Sequence, residues 1–338
     1  MIVTVGQSRR PAAKHYTYDA RGDQYEKVSS ASRIGFSEFR SRDVPWERFP
    51  DFLRVLDTST HHYIVRGALR DPSRTRCRRA IHPHPQHGPP GLCDAPRDWL
   101  CLDIDDLATA CESPRALRDA IATDSGSIVR DVVASLGPCF RGVGCVWQWS
   151  SSAALTSTEI KIHLWFRLSE PVETAVAREW VREHAPAADL ALINPAQIHY
   201  TSGPVITSGS SSERLPDPLG EARIGVLDGD ALAVTRDPWL LRQSITEARQ
   251  QRRQARAELR SGPASASAWQ RYIDVVLSHA PASGEGIHTW ATRALGSVAA
   301  KVREGEFPHE AYTALGDAIT AVRLDKTASE AMVRDFEP

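Results

Sequence analysis

Nowhere does the chain approach the roughly 18 consecutive apolar residues that a membrane helix requires, so a helical membrane protein is excluded. Met1 to Arg10 also lacks the apolar run that follows the charges of a secretory leader, and a cytoplasmic protein with no membrane partner is expected. The six cysteines, Cys77, Cys93, Cys101, Cys111, Cys139 and Cys145, include no CxxC pair and suggest no small secreted framework; reduced, structural thiols are expected. A basic excess is missing as well. Lys and Arg number 41 against 42 Asp and Glu, so any surface for nucleic acid must come from local charge distribution. Lysine is scarce: Lys14, Lys27, Lys161, Lys301 and Lys326 are the only ones. The other basic residues are arginine, the better bidentate phosphate ligand, unless the composition of the coding genome alone sets the bias. No GxxxxGK[ST] loop is present, so the chain carries no helicase motif, and no internal repeat is visible.

What is present is a 338-residue chain, 41% hydrophobic and 25% charged, long enough for one large domain with a small one or for two of middling size. The stretch to about Asp43 is polar and weakly periodic, and reads as an extension or loose edge. Trp46, Phe49, Phe52, Leu53 and Leu56 recur at helical spacing, and 62–69 reads as a strand ending in a turn. Residues 70–96 are rich in Pro, His and Arg without periodicity and predict a long loop. Strands are then expected at 99–104, 144–150, 160–168 and 222–227, with β-rich sequence at 197–207. Helices are expected at about 114–136 and 172–184. After about Val234 strong helix formers take over, first at 239–260 and then in about three further helices. The expected fold is α+β, with mixed or antiparallel sheets in 1–236 and a helical domain in 237–338.

Three segments carry chemistry. In Leu100-Cys101-Leu102-Asp103-Ile104-Asp105-Asp106 an apolar strand ends in two carboxylates at i and i+2, hence on one face. Oxygen ligands in that arrangement suit magnesium or manganese, and a pair of ions can clamp the attacking and leaving oxygens of a phosphoryl transfer. Helix caps and turns also use Asp freely, and Asp106 reads as a cap of the next helix. In Lys161-Ile162-His163-Leu164-Trp165-Phe166, alternation puts Lys161, His163 and Trp165 on one face, where a cation and an imidazole could meet nucleotide phosphates. A core histidine beside a surface lysine fits the same pattern. Asp189, after the second helix, is either a third carboxylate for the same ions or a turn residue.

Order and spacing of these three segments resemble the catalytic core of the archaeo-eukaryotic primase superfamily, over roughly residues 46–229. Tyr63-Ile-Val-Arg-Gly-Ala-Leu69 before the first motif, and Gln197-Ile-His-Tyr-Thr-Ser-Gly-Pro204 and Asp217-Pro-Leu after the third, are similar to primase-polymerases of phages and plasmids. The resemblance implies a sheet-built catalytic core like an RNA-recognition motif. It also implies two divalent cations held by Asp103, Asp105 and Asp189, with His163 on the nucleoside triphosphate. The implied activity is DNA-templated nucleotidyl transfer on a single-stranded template, making or extending primers for a mobile element. A separately encoded helicase or initiator is the implied partner. Two positions depart from the pattern: Lys161 stands where a small polar residue is usual, and the arginine often found after the third motif is absent.

Secondary features bear on substrate contact. Ser150, Ser151 and Ser152 occupy the turn before the histidine strand, where hydroxyls and amides could approach a phosphate. Arg70, Arg74, Arg76, Arg78 and Arg79 could follow a template backbone, as could Arg252, Arg253 and Arg256 on the first tail helix, unless both are simply solvated faces. Cys77, His82, His84, His87 and Cys93 are zinc-ligand types at no standard spacing, and a structural zinc is not expected. Two other functions remain open at this level. A replication-initiator nuclease would use His163, His199 and a Tyr200 nucleophile, although Lys161 breaks its histidine pair. A non-catalytic nucleic-acid-binding replication protein would use the acidic residues as caps and turns.

Overall fold

A computed structural model describes residues 1–29, 36–84, 87–209, 211, 213–234, 268–278 and 287–322. The fold is mixed α and β, and the chain divides into two compact units, Met1–Asp237 and Pro238–Pro338. In chain order the first unit contains β1 (Ile2–Gln7), β2 (His15–Asp19), β3 (Gln24–Ser29), β4 (Phe36–Asp43), α1 (Phe49–Asp57), β5 (His62–Val65), β6 (Ala68–Leu69), β7 (Arg76–Arg78), β8 (Leu92–Cys93) and β9 (Arg97–Leu107). It continues with α2 (Pro114–Leu136), β10 (Cys145–Trp149), β11 (Ile160–Val172), α3 (Thr174–His184), β12 (Ile198–His199), β13 (Val205–Ser208), β14 (Arg214–Leu215) and β15 (Ile224–Leu227).

These strands form an antiparallel sheet of order β12-β5-β1-β4-β7 and a second antiparallel sheet of order β15-β10-β11-β9. A third sheet, β14-β13-β2-β3, contains the parallel pair β2 and β13, and β6 pairs with β8. Alternation along β9 and β11 explains why the second sheet sits in the middle. Leu100, Leu102, Ile104, Ile162, Leu164 and Phe166 pack on one side against Leu117, Ile121 and Val129 of α2 and Trp180 and Val181 of α3. The opposite residues, Trp99, Cys101 and Trp165, join Val3 of β1, Ile64 of β5 and Phe49, Leu53 and Leu56 of α1 in a separate core. A strand buried on both faces reads as a near-continuous apolar run, as β9 and β11 do.

Two buried arginines tie the first sheet to the second. Arg66 donates to the carbonyls of Trp99 (2.6 Å) and Val172 (2.8 Å), and Arg97 donates to those of Arg66 (2.6 Å) and Gly67 (2.7 Å). Burial lowers the Arg66 pKa to about 10, which leaves the guanidinium charged at neutral pH.

The structure corrects four expectations. The first 43 residues are not a loose extension: β1 is the central strand of its sheet, and Val3 and Phe39 are fully buried. Their pattern is obscured because the strands are short and half their positions face polar surroundings. Residues 70–96 are not one loop, since β7 and β8 pair within them. β9 runs on past Ile104, so Asp103 lies inside the strand rather than at its end. Asp106 belongs to that strand, and the cap of α2 is Ser113, whose hydroxyl accepts from the Ala116 N–H at 3.1 Å.

In the second unit, α4 (Ala268–Ser278), α5 (Ile287–Arg303) and α6 (His309–Val322) enclose a core of Ile273, Leu295, Val298, Leu315 and Ile319. Gly305, at φ 74°, provides the left-handed residue that lets the chain leave α5. The helix expected at 239–260, with Arg252, Arg253 and Arg256, lies outside the described residues. No helix among the described residues is long and apolar enough to cross a membrane.

Candidate active site

Three adjacent strands present a polar row in an otherwise apolar face. Asp103 of β9 pairs directly with His163 of β11, and His163 pairs with Gln148 of β10. Directly opposed residues of antiparallel strands share a face, and this one is the Trp165 face rather than the Leu164 face. The β9–β11 register then shifts between Ile162↔Ile104 and Ile160↔Leu107, so three steps on β9 match two on β11. Such a bulge re-aims side chains, and here it falls on Asp105 and Asp106, which are exposed.

Asp189 reaches the same strand by its backbone. Its N–H donates to the Asp103 carbonyl at 2.9 Å, while its Oδ1 accepts from the Ala191 N–H at 2.8 Å and caps the 3-10 turn Leu190–Ile193. Asp189 is therefore both turn residue and neighbour of the acidic strand.

Asp105 and Asp189 both act on Asp103. Burial pushes the Asp103 pKa well above the carboxylate range, and the charges of Asp105 and Asp189 push it further, against Lys14 and Lys161. Asp103 Oδ1 is buried without a hydrogen-bond partner. His163 Nε2 lies 3.4 Å from it, a long contact without hydrogen-bonding alignment. Burial also lowers the His163 pKa to about 4, so the ring is neutral at pH 7, and its Nδ1 is unpartnered. Among the described residues no three His, Cys, Asp or Glu side chains are gathered as a ready-made metal cage. The orphaned carboxylate oxygen, held beside two like charges, nevertheless fits a hard divalent cation, which takes oxygen ligands and offsets their repulsion.

The serine turn is held from three sides. Arg223, fully buried, donates to the carbonyls of Trp149 (2.8 Å) and Ser150 (2.9 Å) and forms a two-pronged ion pair with Asp217. Arg118 donates to the Ala154 carbonyl at 3.0 Å, and Ala154 has the left-handed φ of 55°. Lys14 donates to Ser152 Oγ at 3.1 Å, and the Ser150 and Ser152 hydroxyls lie 3.0 Å apart. Burial lowers the Lys14 pKa, opposed chiefly by Asp105.

Asp57, at the end of α1, approaches the same arginine, with Arg223 Nε 3.9 Å from its Oδ1. Burial raises its pKa from 3.8 to about 6, more than Arg223 lowers it. A folded-state pKa above the unfolded value means that ionised Asp57 opposes folding. The cost is absent below about pH 4, grows from there to about pH 6 and is constant above, at up to about 3 kcal/mol. Asp57→Asn is expected to raise the denaturation midpoint at pH 7.5 and leave it nearly unchanged at pH 4. Equal shifts at both pH values would contradict this origin.

Of the other sequence candidates, Lys161 acts on Asp103 and the rest are dispersed. Lys161 faces Glu159 at 3.6 Å. Arg70, Arg74 and Arg76 are exposed, but Arg78 donates to the His82 and Gly88 carbonyls within its own segment, and Arg79 donates to the Ala196 carbonyl, tying that segment to the chain just before β12. His84 and His87 stack at 4.4 Å, Cys77 is buried and Cys93 half-buried. His199 is buried between Trp99 and Trp165, with ring centroids 5.7 and 5.4 Å away, whereas Tyr200 packs with Phe39 and Tyr63 in another core. Imidazole, at the end of β12, and phenol, just past it, thus enter different cores.

Sequence reasoning missed Lys14, Asp57, Gln148 and Arg223. Gln148, the one polar residue in Cys145–Trp149, and Lys14, one of few lysines, carried faint signals; Asp57 and Arg223 carried none. No family model matches the chain, and no curated protein or solved structure matches it either.

Proposed function

We propose that the protein is a primase-polymerase, with Met1–Asp237 as a catalytic core of archaeo-eukaryotic primase type and the C-terminal unit as a helical accessory domain. The observation that carries this reading is the Asp103–His163 cross-strand pair, with Asp189 hydrogen-bonded to the same strand.

In this reading Asp103, Asp105 and Asp189 hold divalent cations. Magnesium or manganese bound there supplies positive charge to the attacking and leaving oxygens of an in-line displacement at phosphorus. The protein contributes position and electrostatics. Neutral His163 offers its ring N–H to the nucleoside triphosphate without adding a second positive charge. The Ser150–Ser152 turn, held in place before substrate arrives, presents hydroxyls to phosphate oxygens at little reorganisation cost. A primer 3′-hydroxyl or an initiating nucleotide attacks the α-phosphate, and pyrophosphate leaves. Single-stranded DNA is the template, with a separately encoded helicase or initiator as partner.

The divided environments of His199 and Tyr200 disfavour a tyrosine-nucleophile nuclease. The decisive assay supplies single-stranded template, all nucleotides and magnesium or manganese, without primer. Products of defined length are expected. DNA binding with neither primer synthesis nor primer extension would favour the non-catalytic replication protein instead.

A further inference from the structure

Of five lysines, Lys14 just before β2 and Lys161 on β11 both act electrostatically on Asp103, and Lys27 on β3 acts on Lys14, although the three come from separate elements. Lys14 interacts electrostatically with Asp105 and Asp103 and with the other two lysines. Its ammonium is half-buried and fixed on Ser152 Oγ at 3.1 Å. Its backbone is fixed as well, since the Lys14 carbonyl accepts from the Val205 N–H at 3.0 Å at the start of the parallel β2–β13 pairing.

Like charges do not gather without reason. Three ammonium groups repel one another, and among the described residues the one ion pair that any of them forms is that of Lys161 with Glu159 at 3.6 Å. A compact, strongly charged anion placed between the lysines and the carboxylate-bound cations would satisfy both groups. Lysine suits this role because its ammonium is a compact point charge that serves several phosphate oxygens without the fixed planar fork of arginine. We propose that Lys14, with Lys27 and Lys161, forms a polyphosphate cradle opposite Asp103 and Asp105, in which Lys14 and the Ser152 hydroxyl bind the tail of the triphosphate. This assignment rests on the primase-polymerase reading for its substrate, but it concerns a segment outside the residues that carry the family resemblance.

The test measures binding of inorganic tripolyphosphate, with magnesium, to the full-length protein by calorimetry, beside nucleotide incorporation. Lys14→Gln keeps a hydrogen-bond donor toward Ser152 but removes the charge, and Lys14→Arg keeps the charge. Tripolyphosphate affinity is expected to fall about tenfold or more in Lys14→Gln, the equivalent of one charge-assisted contact. It should fall less in exposed Lys27→Gln, recover substantially in Lys14→Arg, and stay unchanged in the Lys301→Gln control from the other unit. Undiminished tripolyphosphate affinity in a folded Lys14→Gln protein overturns the cradle. Should Lys14→Gln fail to fold, unchanged affinity in both Lys27→Gln and Lys161→Gln overturns it. Lysine-dependent polyphosphate binding without nucleotide incorporation would sink the polymerase reading and leave the cradle standing. Incorporation with an unchanged nucleotide KM in folded Lys14→Gln would do the reverse.

Discussion

Asp103→Asn is expected to reduce nucleotide incorporation by roughly a thousandfold, about 4 kcal/mol of transition-state stabilisation, while the protein melts at a higher temperature in the absence of divalent ions. Both effects have one cause. Asp103 is buried on β9 with an unpartnered Oδ1, and two other carboxylates raise its pKa beyond what burial does. Asparagine has nearly the same shape, removes the charge that opposes folding, and takes away an anionic ligand. A site built for function at the expense of stability should behave in this way. Thermal melts at pH 7.5 in chelator, paired with primer-extension rates, test both halves. A variant that extends primers within tenfold of the parent would remove Asp103 from the chemistry. One that melts lower would show that the carboxylate is structural.

Arg223→Ala should be the most damaging single change around the turn, costing about 3 kcal/mol of stability, because it leaves two half-buried carboxylates without their cation. Arg223 is fully buried, pairs with Asp217 through two nitrogens, approaches Asp57 and supports the Trp149 and Ser150 carbonyls. Its loss should also loosen Ser150, Ser151 and Ser152, so nucleotide affinity should fall with stability. Asp217→Asn in the same chain should recover part of the stability by removing one unpaired charge, without restoring the turn. Urea denaturation of the single and double variants separates these contributions. A loss below about 1 kcal/mol in the single variant would mean that water reaches and solvates the Asp57 and Asp217 carboxylates.

How much of this could be read from the chain depends on how local each cause is. Alternation in Lys161–Phe166 correctly divided His163 and Trp165 from Leu164 and Phe166, because side-chain direction in a strand is a property of adjacent residues. The i and i+2 spacing of Asp103 and Asp105 was visible too, but the bulge that modifies it depends on β11 and was not. For Asp106 the nearer explanation, a helix cap, was wrong because β9 continues and Ser113 takes that place. The role of β1 was hidden because a short strand with Thr4 and Gly6 among its apolar residues shows its centrality only through its partners, β4 and β5.

By itself, then, the order of residues determined the apolar and polar faces of the central strands, the approximate places of most helices and strands in the first unit, and a row of candidate acids and an imidazole. Each of these follows from spacing along a few consecutive residues. Only the tertiary structure decided that Lys14, Asp57, Gln148 and Arg223 belong around that row, that Tyr200 turns away from His199, and that Asp189 is bonded to the strand of Asp103. Those relations join residues far apart in the chain, and no local periodicity encodes which distant charge will be buried beside another.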